Sequence, residues 1–217
     1  MVPMHAREQT LREEVANALS HGLGLALAVA SLPVLVVFAS RQGPAASVTG
    51  AVVFAVTMML LYLVSTVYHA LPQGRWKRRF NRLDHAAIFL FIAGSYTPFV
   101  LGPLRGVWGW SLFAAVWTLA AVGMAAKVLD RLRHPLWSTG LYVALGWMAL
   151  VAIDPMLERL STQALALIVA GGAAYTAGAV FFLLDHRVRY AHFVWHLFVI
   201  GGSTCHFLAA LSPAAAA

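Results

Sequence analysis

The chain has 217 residues, of which 61% are hydrophobic and only 11% are charged. Soluble globular domains carry roughly a quarter charged residues, so this composition excludes an ordinary soluble protein and indicates an integral membrane protein. The net charge of +7 requires no nucleic acid, because arginines that face anionic lipid headgroups account for it.

Seven stretches free of Lys, Arg, Asp and Glu are each long enough to cross about 30 Å of hydrocarbon. No stretch alternates in polarity as a barrel strand would, and no segment is left for a soluble domain. We therefore predict an all-α, seven-transmembrane helix bundle that forms a single membrane domain over residues 1–217. The predicted spans cover residues 18–39, 48–70, 86–104, 107–126, 135–153, 160–184 and 190–211.

The first predicted span, residues 18–39, contains small residues that also suit a signal peptidase. Its uncharged run is longer than the core of a typical signal peptide, and the segment before it is mixed in charge. We therefore interpret it as a transmembrane helix.

The basic residues predict the orientation of the bundle. Twelve of the fifteen Lys and Arg residues lie on the side that holds the N-terminus, five of them in the second connection, RWKRRFNR. By the positive-inside rule, the N-terminus is cytoplasmic and the C-terminus lies outside. We interpret the RWKRRFNR run as an anchor at the lipid surface, with docking of an acidic partner as the alternative.

Three helices bring polar side chains to the cytoplasmic boundary. The second span ends with Ser65 and His69, which are four residues apart and share a helical face. The third span is predicted to have Asp84 in its first turn, and the seventh begins with His192 and His196, again four apart. Ionisable side chains at membrane depth are costly and rare, so this set predicts a functional site.

Three neutral imidazoles with an open fourth position are the ligand set of a catalytic zinc site. We therefore expect zinc as a cofactor, bound by His69, His192 and His196. Zinc lowers the pKa of a bound water towards 7. Asp84 would orient or deprotonate this water, and Ser65 would support it or a developing oxyanion. These roles favour a hydrolase.

Each of these residues also has an ordinary structural explanation. Asp84 could cap its helix or pair with Arg82 or Arg79 at the interface. Ser65 could bond the carbonyl of Leu61, and each histidine could link neighbouring helices. The occurrence of all five groups at one depth favours the metal site.

The motifs STVYHAL, LDHAAIFLFIAGSYTPF and HFVWHLFVIGGSTCHF occur in this order, and EEVANALSHGLG precedes them. Together they resemble the hemolysin III branch of the progestin and adipoQ receptor family, which is similar in turn to alkaline ceramidases. The resemblance covers nearly the whole chain. It implies a seven-helix bundle in a bacterial inner membrane, with zinc bound by His69, His192 and His196 beside Asp84 and Ser65.

Three functional classes remain open. The first is a zinc-dependent hydrolase of a lipid amide or ester at the cytoplasmic side, and the second is a receptor-like or membrane-homeostasis protein with a structural zinc. The third is a hemolysin-type pore, which is disfavoured because the fourth, fifth and sixth spans contain no charged interior residue. The expected partner is a membrane lipid, as substrate or ligand; the sequence leaves the oligomeric state open.

Three further polar residues are left without an assigned role. His206 lies ten residues beyond His196, about 15 Å along the helix, which is too far to bind the same metal. It either lines an inner cavity or bonds a neighbouring helix. Asn17 and His21 share a face of the first helix with Glu14, and we expect them to cap or support the site rather than to bind the metal.

Overall fold

The computed structural model describes residues 7–212 of the chain, apart from the side chain of Gln42. This part is almost entirely helical, and no β-strand forms within it. A short 3-10 helix, Trp147–Ala152, joins α5 to α6. The α-helices are α1 (Leu11–Gln42), α2 (Ala45–Ala70), α3 (Arg75–Leu101), α4 (Val107–Val128), α5 (Pro135–Gly146), α6 (Ile153–Arg159), α7 (Thr162–Leu184) and α8 (Ala191–Ala210).

The predicted all-α bundle of seven spans is confirmed. Seven helical segments of the described chain are long and apolar enough to cross a membrane, with α5, the 3-10 helix and α6 together forming the fifth, Pro135–Arg159. Large apolar side chains such as Leu19, Leu27 and Val122 are exposed on the outside of the bundle, as expected for residues that face lipid. Which end faces the cytoplasm stays a prediction from the arginine distribution.

Two helices begin earlier than the uncharged stretches predicted. α1 begins at Leu11 because Thr10 and Glu13 form a capping box, in which each side chain accepts a hydrogen bond from the other residue's backbone N–H. α3 begins at Arg75, so the basic run forms its first turns. Asp84 therefore lies in the third turn of α3, and its predicted position in the first turn is wrong.

The bundle has two main hydrophobic cores that share α3. One core packs α1, α2, α3 and α8 together and includes the buried residues Leu35, Phe54, Tyr62, Phe91 and Val199. The other packs α3 against α4 and α5 and includes Phe89, Val100, Val116, Tyr142 and Leu145. Because α2 packs against both α1 and α3, and α8 packs against α1, the end of the bundle where they meet can collect side chains from all four helices.

The start of α1 is tied to the start of α8 through Glu13. The carboxylate of Glu13 accepts hydrogen bonds from the guanidinium of Arg7 at 2.6 and 2.7 Å and from the backbone N–H of Tyr190 at 2.9 Å. Tyr190 has a left-handed backbone conformation, with φ of 59°, and immediately precedes α8. This link fixes the backbone two residues before His192.

Candidate metal centre

The structure brings His69, at the end of α2, together with His192 and His196, in the first turns of α8. One potential ligand atom from each of the three side chains lies within 4.8 Å of the other two. The ring centroids are 5.1 Å apart for His69 and His192, 5.0 Å for His69 and His196, and 4.8 Å for His192 and His196. This spacing is close enough for the three imidazoles to share one metal ion.

Each of the three imidazoles is oriented by a hydrogen bond at its Nδ1 atom. Nδ1 of His69 lies 2.7 Å from a carboxylate oxygen of Glu14, and Nδ1 of His192 lies 2.9 Å from a carboxylate oxygen of Asp185. Because a carboxylate can only accept, each Nδ1 carries the proton and donates it. The Nε2 atoms of these two rings are therefore left unprotonated, as metal ligands must be.

The ring of His196 is oriented in the same way by α1. Its Nδ1 lies 2.9 Å from the hydroxyl of Ser20 and 3.3 Å from the carbonyl oxygen of Asn17. The Ser20 hydroxyl donates its proton to that same carbonyl, so it accepts from Nδ1 of His196. All three histidines thus have Nε2 available to a metal.

Glu14 also anchors a lysine of the basic run. Its second carboxylate oxygen lies 2.9 Å from Nζ of Lys77, which donates in addition to the carbonyls of Tyr68 and Leu71 at 3.1 and 3.2 Å. Lys77 is only 6% exposed. The prediction that the RWKRRFNR run faces the lipid surface is therefore wrong for Lys77, which closes the polar end of the bundle.

Asp84 and Ser65 complete the polar end, and both line the same cavity as His192 and His196. Asp84 lies beside His192 and Ser65 and is 8% exposed. The ion pairs of residues 7–212 do not include Asp84, and Arg82 pairs instead with Asp130 at 3.2 Å. The alternative in which Asp84 pairs with Arg82 is therefore excluded.

The donor set fits a zinc ion. Nε2 of His69 is buried without a hydrogen-bond partner among the described residues, and leaving such a group unpaired costs stability. The carboxylate of Asp84 is buried without a countercharge, which is costly as well. A divalent cation bound by three neutral imidazoles offsets these costs, and zinc prefers nitrogen ligands.

Two residues of α1 lie directly behind the three histidines. The ring of His21 stacks on the ring of His196, with centroids 3.4 Å apart and an interplanar angle of 11°. Asn17 contributes its backbone carbonyl to His196, while its side chain donates to Gln9. Neither residue belongs to the three-histidine group, and the supporting role expected of them stays a prediction.

A largely apolar cavity of about 180 Å³ leads from the polar end into the bundle. Its walls come from α3, the fifth span, α7 and α8. Beyond Asp84 and the histidines, most of the surface is hydrocarbon, from residues that include Ile88, Phe91, Val143, Leu165, Ile168 and Val199.

Residues 9–207 match the model of the Haemolysin-III related family. The chain belongs to this family. It is 43% identical over 203 residues to Hemolysin-3 of Bacillus cereus, covering 94% of this chain and 92% of that protein. It is 39% identical over 202 residues to the Hemolysin-3 homolog of Bacillus subtilis strain 168, covering 93% and 94%.

A more distant similarity links this haemolysin-III family member to a mammalian protein of the progestin and adipoQ receptor family. It is 30% identical over 169 residues to the human monocyte to macrophage differentiation factor, covering 72% of this chain and 67% of that protein. The seven apolar helices and the bacterial relatives identify the chain as a multi-pass integral protein of the bacterial plasma membrane.

Sequence reasoning did not assign Ser20 or Asp185, or the role of Glu14. A signal for Glu14 was present, because it lies on the face of α1 that also carries Asn17 and His21. Asp185 lies in the connection between α7 and α8, seven residues before His192, where no helical periodicity relates the two. Only the folded connection shows that its carboxylate reaches the ring.

Proposed function

We propose that this haemolysin-III family protein is a zinc-dependent hydrolase that cleaves a lipid amide or ester at the cytoplasmic side of the membrane. The observation that carries the proposal is the arrangement of three imidazoles, each fixed through Nδ1, at the polar end of an apolar cavity. Histidines that only link helices would not each need an outer partner, that is, a group that hydrogen-bonds to Nδ1 and leaves Nε2 available.

His69, His192 and His196 would hold the zinc ion. When bound, zinc supplies a Lewis acid and makes water a nucleophile near neutral pH. Glu14 and Asp185 keep two of the rings in the tautomer that binds metal, and their negative charges raise the basicity of the ligands.

Asp84 would act as the general base. Its carboxylate is buried beside His192 and Ser65 and has no ion-pair partner within the described chain, so it can accept a proton from water. Ser65 would donate its hydroxyl proton to the oxygen of the scissile carbonyl as negative charge develops there. Both side chains face the cavity, where the reacting bond would lie.

The cavity would hold the acyl chain of the substrate. Because its lining is largely hydrocarbon, the chain exchanges one apolar environment for another when it leaves the bilayer, and the polar headgroup remains at the end that carries the three histidines. Cleavage of an amide or ester bond at this end would leave a fatty acid in the cavity.

The experiment measures zinc and turnover in the same purified samples. Wild type should contain close to one zinc per chain by mass spectrometry and should hydrolyse a fluorescent ceramide-like probe. His192→Ala should lose both zinc and turnover, whereas Asp84→Asn should keep zinc and lose turnover. His134→Ala, an exposed histidine at the start of α5, is the matched control and should keep both.

The second candidate, a membrane-homeostasis protein with a structural zinc, is favoured by one observation. The three histidines and their outer partners come from α1, α2, α8 and the connection before α8, so one ion would tie these elements together. This candidate predicts unchanged lipid products but altered membrane fluidity in cells that carry Asp84→Asn. Absence of turnover by zinc-loaded wild type would contradict the hydrolase, whereas full turnover by zinc-loaded Asp84→Asn protein would contradict only the role of Asp84 as the general base.

A further inference from the structure

A second polar group lies in the cavity, remote from the three histidines. His206 on α8 and Tyr175 on α7 both line the cavity, and their rings make an edge contact with centroids 5.3 Å apart. His206 lies ten residues beyond His196, about 15 Å along the helix. Ionisable side chains at such depth are rare in membrane helices and mark functional positions.

The facing helices make room for these two rings. A Cβ atom at Gly171 of α7 would lie 2.6 Å from Nε2 of His206, and a Cβ atom at Gly202 of α8 would lie 2.6 Å from the ring of Tyr175. Both separations are too short for real atoms. Each ring therefore occupies space that a glycine on the opposite helix leaves open, and the fit is reciprocal.

The hydrogen bonds of the two rings leave acceptors unused. Nε2 of His206 lies 3.3 Å from the carbonyl of Ile168, so Nε2 carries the proton and Nδ1 is an acceptor. Nδ1 is buried and has no partner within residues 7–212.

Tyr175 also presents an acceptor. Its hydroxyl lies 3.1 Å from the hydroxyl of Ser203, whose own proton is donated to the carbonyl of Val199. Tyr175 therefore donates to Ser203, and its oxygen keeps free lone pairs. A ligand group that hydrogen-bonds to Nδ1 of His206 or to the Tyr175 oxygen beside it must supply a proton, which a hydroxyl does and a plain hydrocarbon chain does not.

We propose that His206 and Tyr175 form a binding site for a hydroxyl group on the hydrocarbon chain of a lipid. The lipid's acyl end would lie at the three histidines, and this placement alone rests on the proposed function. An extended polypeptide advances about 3.5 Å per residue of three backbone bonds, so an extended hydrocarbon chain advances roughly 1.2 Å per bond. The 15 Å between His196 and His206 therefore corresponds to about 12 bonds.

The test compares three fatty acids as competitors of radiolabelled octadecanoate on purified, zinc-loaded protein. These are octadecanoate, 6-hydroxyoctadecanoate and 12-hydroxyoctadecanoate. One additional hydrogen bond in a buried site should make the 12-hydroxy acid bind about three- to tenfold more tightly than octadecanoate. The 6-hydroxy acid, whose hydroxyl would lie about six bonds short of His206, should gain nothing.

Variants of His206 identify the atom responsible. His206→Leu should abolish the preference for the 12-hydroxy acid, whereas His206→Asn, whose amide oxygen lies near the position of Nδ1, should retain part of it. Thr204→Val is the matched control, because Thr204 is exposed on the same helix and bonds only the carbonyl of Ile200. Zinc content close to one per chain in every variant shows that the metal end is intact.

Equal affinity of wild type for the 6-hydroxy and 12-hydroxy acids would overturn the inference and leave the proposed function standing. Persistence of the 12-hydroxy preference in His206→Leu would overturn it as well. If none of the three acids bound to wild type, both the acyl placement in the proposed function and the hydroxyl site would be contradicted.

Discussion

The polar end of the cavity and the wall that the fifth span contributes to it are held in place differently. At the polar end, each ring of the three histidines is held by a separate hydrogen-bonding partner from α1 or from the connection before α8. The wall formed by the fifth span is interrupted by the 3-10 helix Trp147–Ala152. Besides the shared hydrophobic core, two tyrosine hydroxyls bond it to α3, since Tyr96 donates to backbone carbonyls at the end of α5 and Tyr142 donates to the carbonyl of His85.

The difference separates two requirements of the site. Metal ligands must be held to within a fraction of an ångström, which charged and hydrogen-bonded partners at the polar end achieve. If the cavity admits a lipid chain, as proposed, its wall must instead be able to move, and a 3-10 segment within a helical span is a common place for such movement. Changes at the polar end should therefore alter metal binding, and changes in the fifth span should alter lipid binding alone.

The largest effect is expected from His69→Ala. This change removes one of three ligands and leaves the buried carboxylate of Glu14 without its imidazole. Zinc affinity should therefore fall by more than about 100-fold, which exceeds the loss typical when a residue that hydrogen-bonds to a ligand is removed. Zinc per chain after dialysis against a chelator measures it. His186→Ala, a histidine in the connection before α8, is the control. Retention of a full zinc complement by His69→Ala would remove this residue from the site.

Loss of an outer carboxylate should have a smaller effect. Asp185→Asn and Glu14→Gln should each lower zinc affinity by about 10- to 100-fold, because the amide no longer fixes the tautomer of the ring it faces. Competition with a fluorescent zinc chelator measures the affinity. Asp130→Asn, which removes a partly exposed carboxylate from its pairs with Arg82 and Arg133, should bind zinc as wild type does.

The three histidines could be predicted from the sequence because they stand on uncharged helices with a spacing of four residues. Charge-free windows likewise predicted seven spans. The outer partners could not be predicted in this way. Lys77 contacts Glu14, and these two residues lie in the first turns of α3 and α1. Both turns lie outside the charge-free stretches from which the helices were predicted.

The interruption of the fifth span was not predicted from the sequence. The segment WMALVA forms a 3-10 helix and carries no proline or charge of its own, but Pro155, three residues beyond it, has no N–H to donate to the carbonyl of Val151 and is a local signal for a break. The Tyr96 hydroxyl accepts from the backbone N–H of Ala149 and donates to the carbonyls before it, so a contact with α3 supports the local conformation. The break therefore reflects both a local signal and a tertiary contact.

Filling the apolar wall should affect lipid binding alone. Val143→Phe adds a ring to a residue of α5 that lines the cavity, so the affinity for octadecanoate should fall by about tenfold, equivalent to about 1.4 kcal/mol, while zinc content stays constant. Ala144→Phe adds the same ring one residue later on the exposed side of the helix and should leave both unchanged. Loss of zinc from Val143→Phe would show that the two ends of the cavity are coupled.

The smallest effect is expected from Tyr96→Phe, which tests how the fifth span is held to α3. The hydroxyl lies 2.6 Å from the carbonyl oxygen of Gly146 and 3.0 Å from the backbone nitrogen of Ala149. Removing it takes one hydrogen-bonding partner from each of these backbone groups at the junction of α5 with the 3-10 helix, at a cost of about 1 kcal/mol in stability. Thermal unfolding in detergent should shift to lower temperature, and hydrogen exchange should increase within Trp147–Ala152. Zinc affinity should not change, because no partner of the three histidines contacts this junction in the described chain. A fall in zinc affinity would show that the fifth span positions the metal ligands.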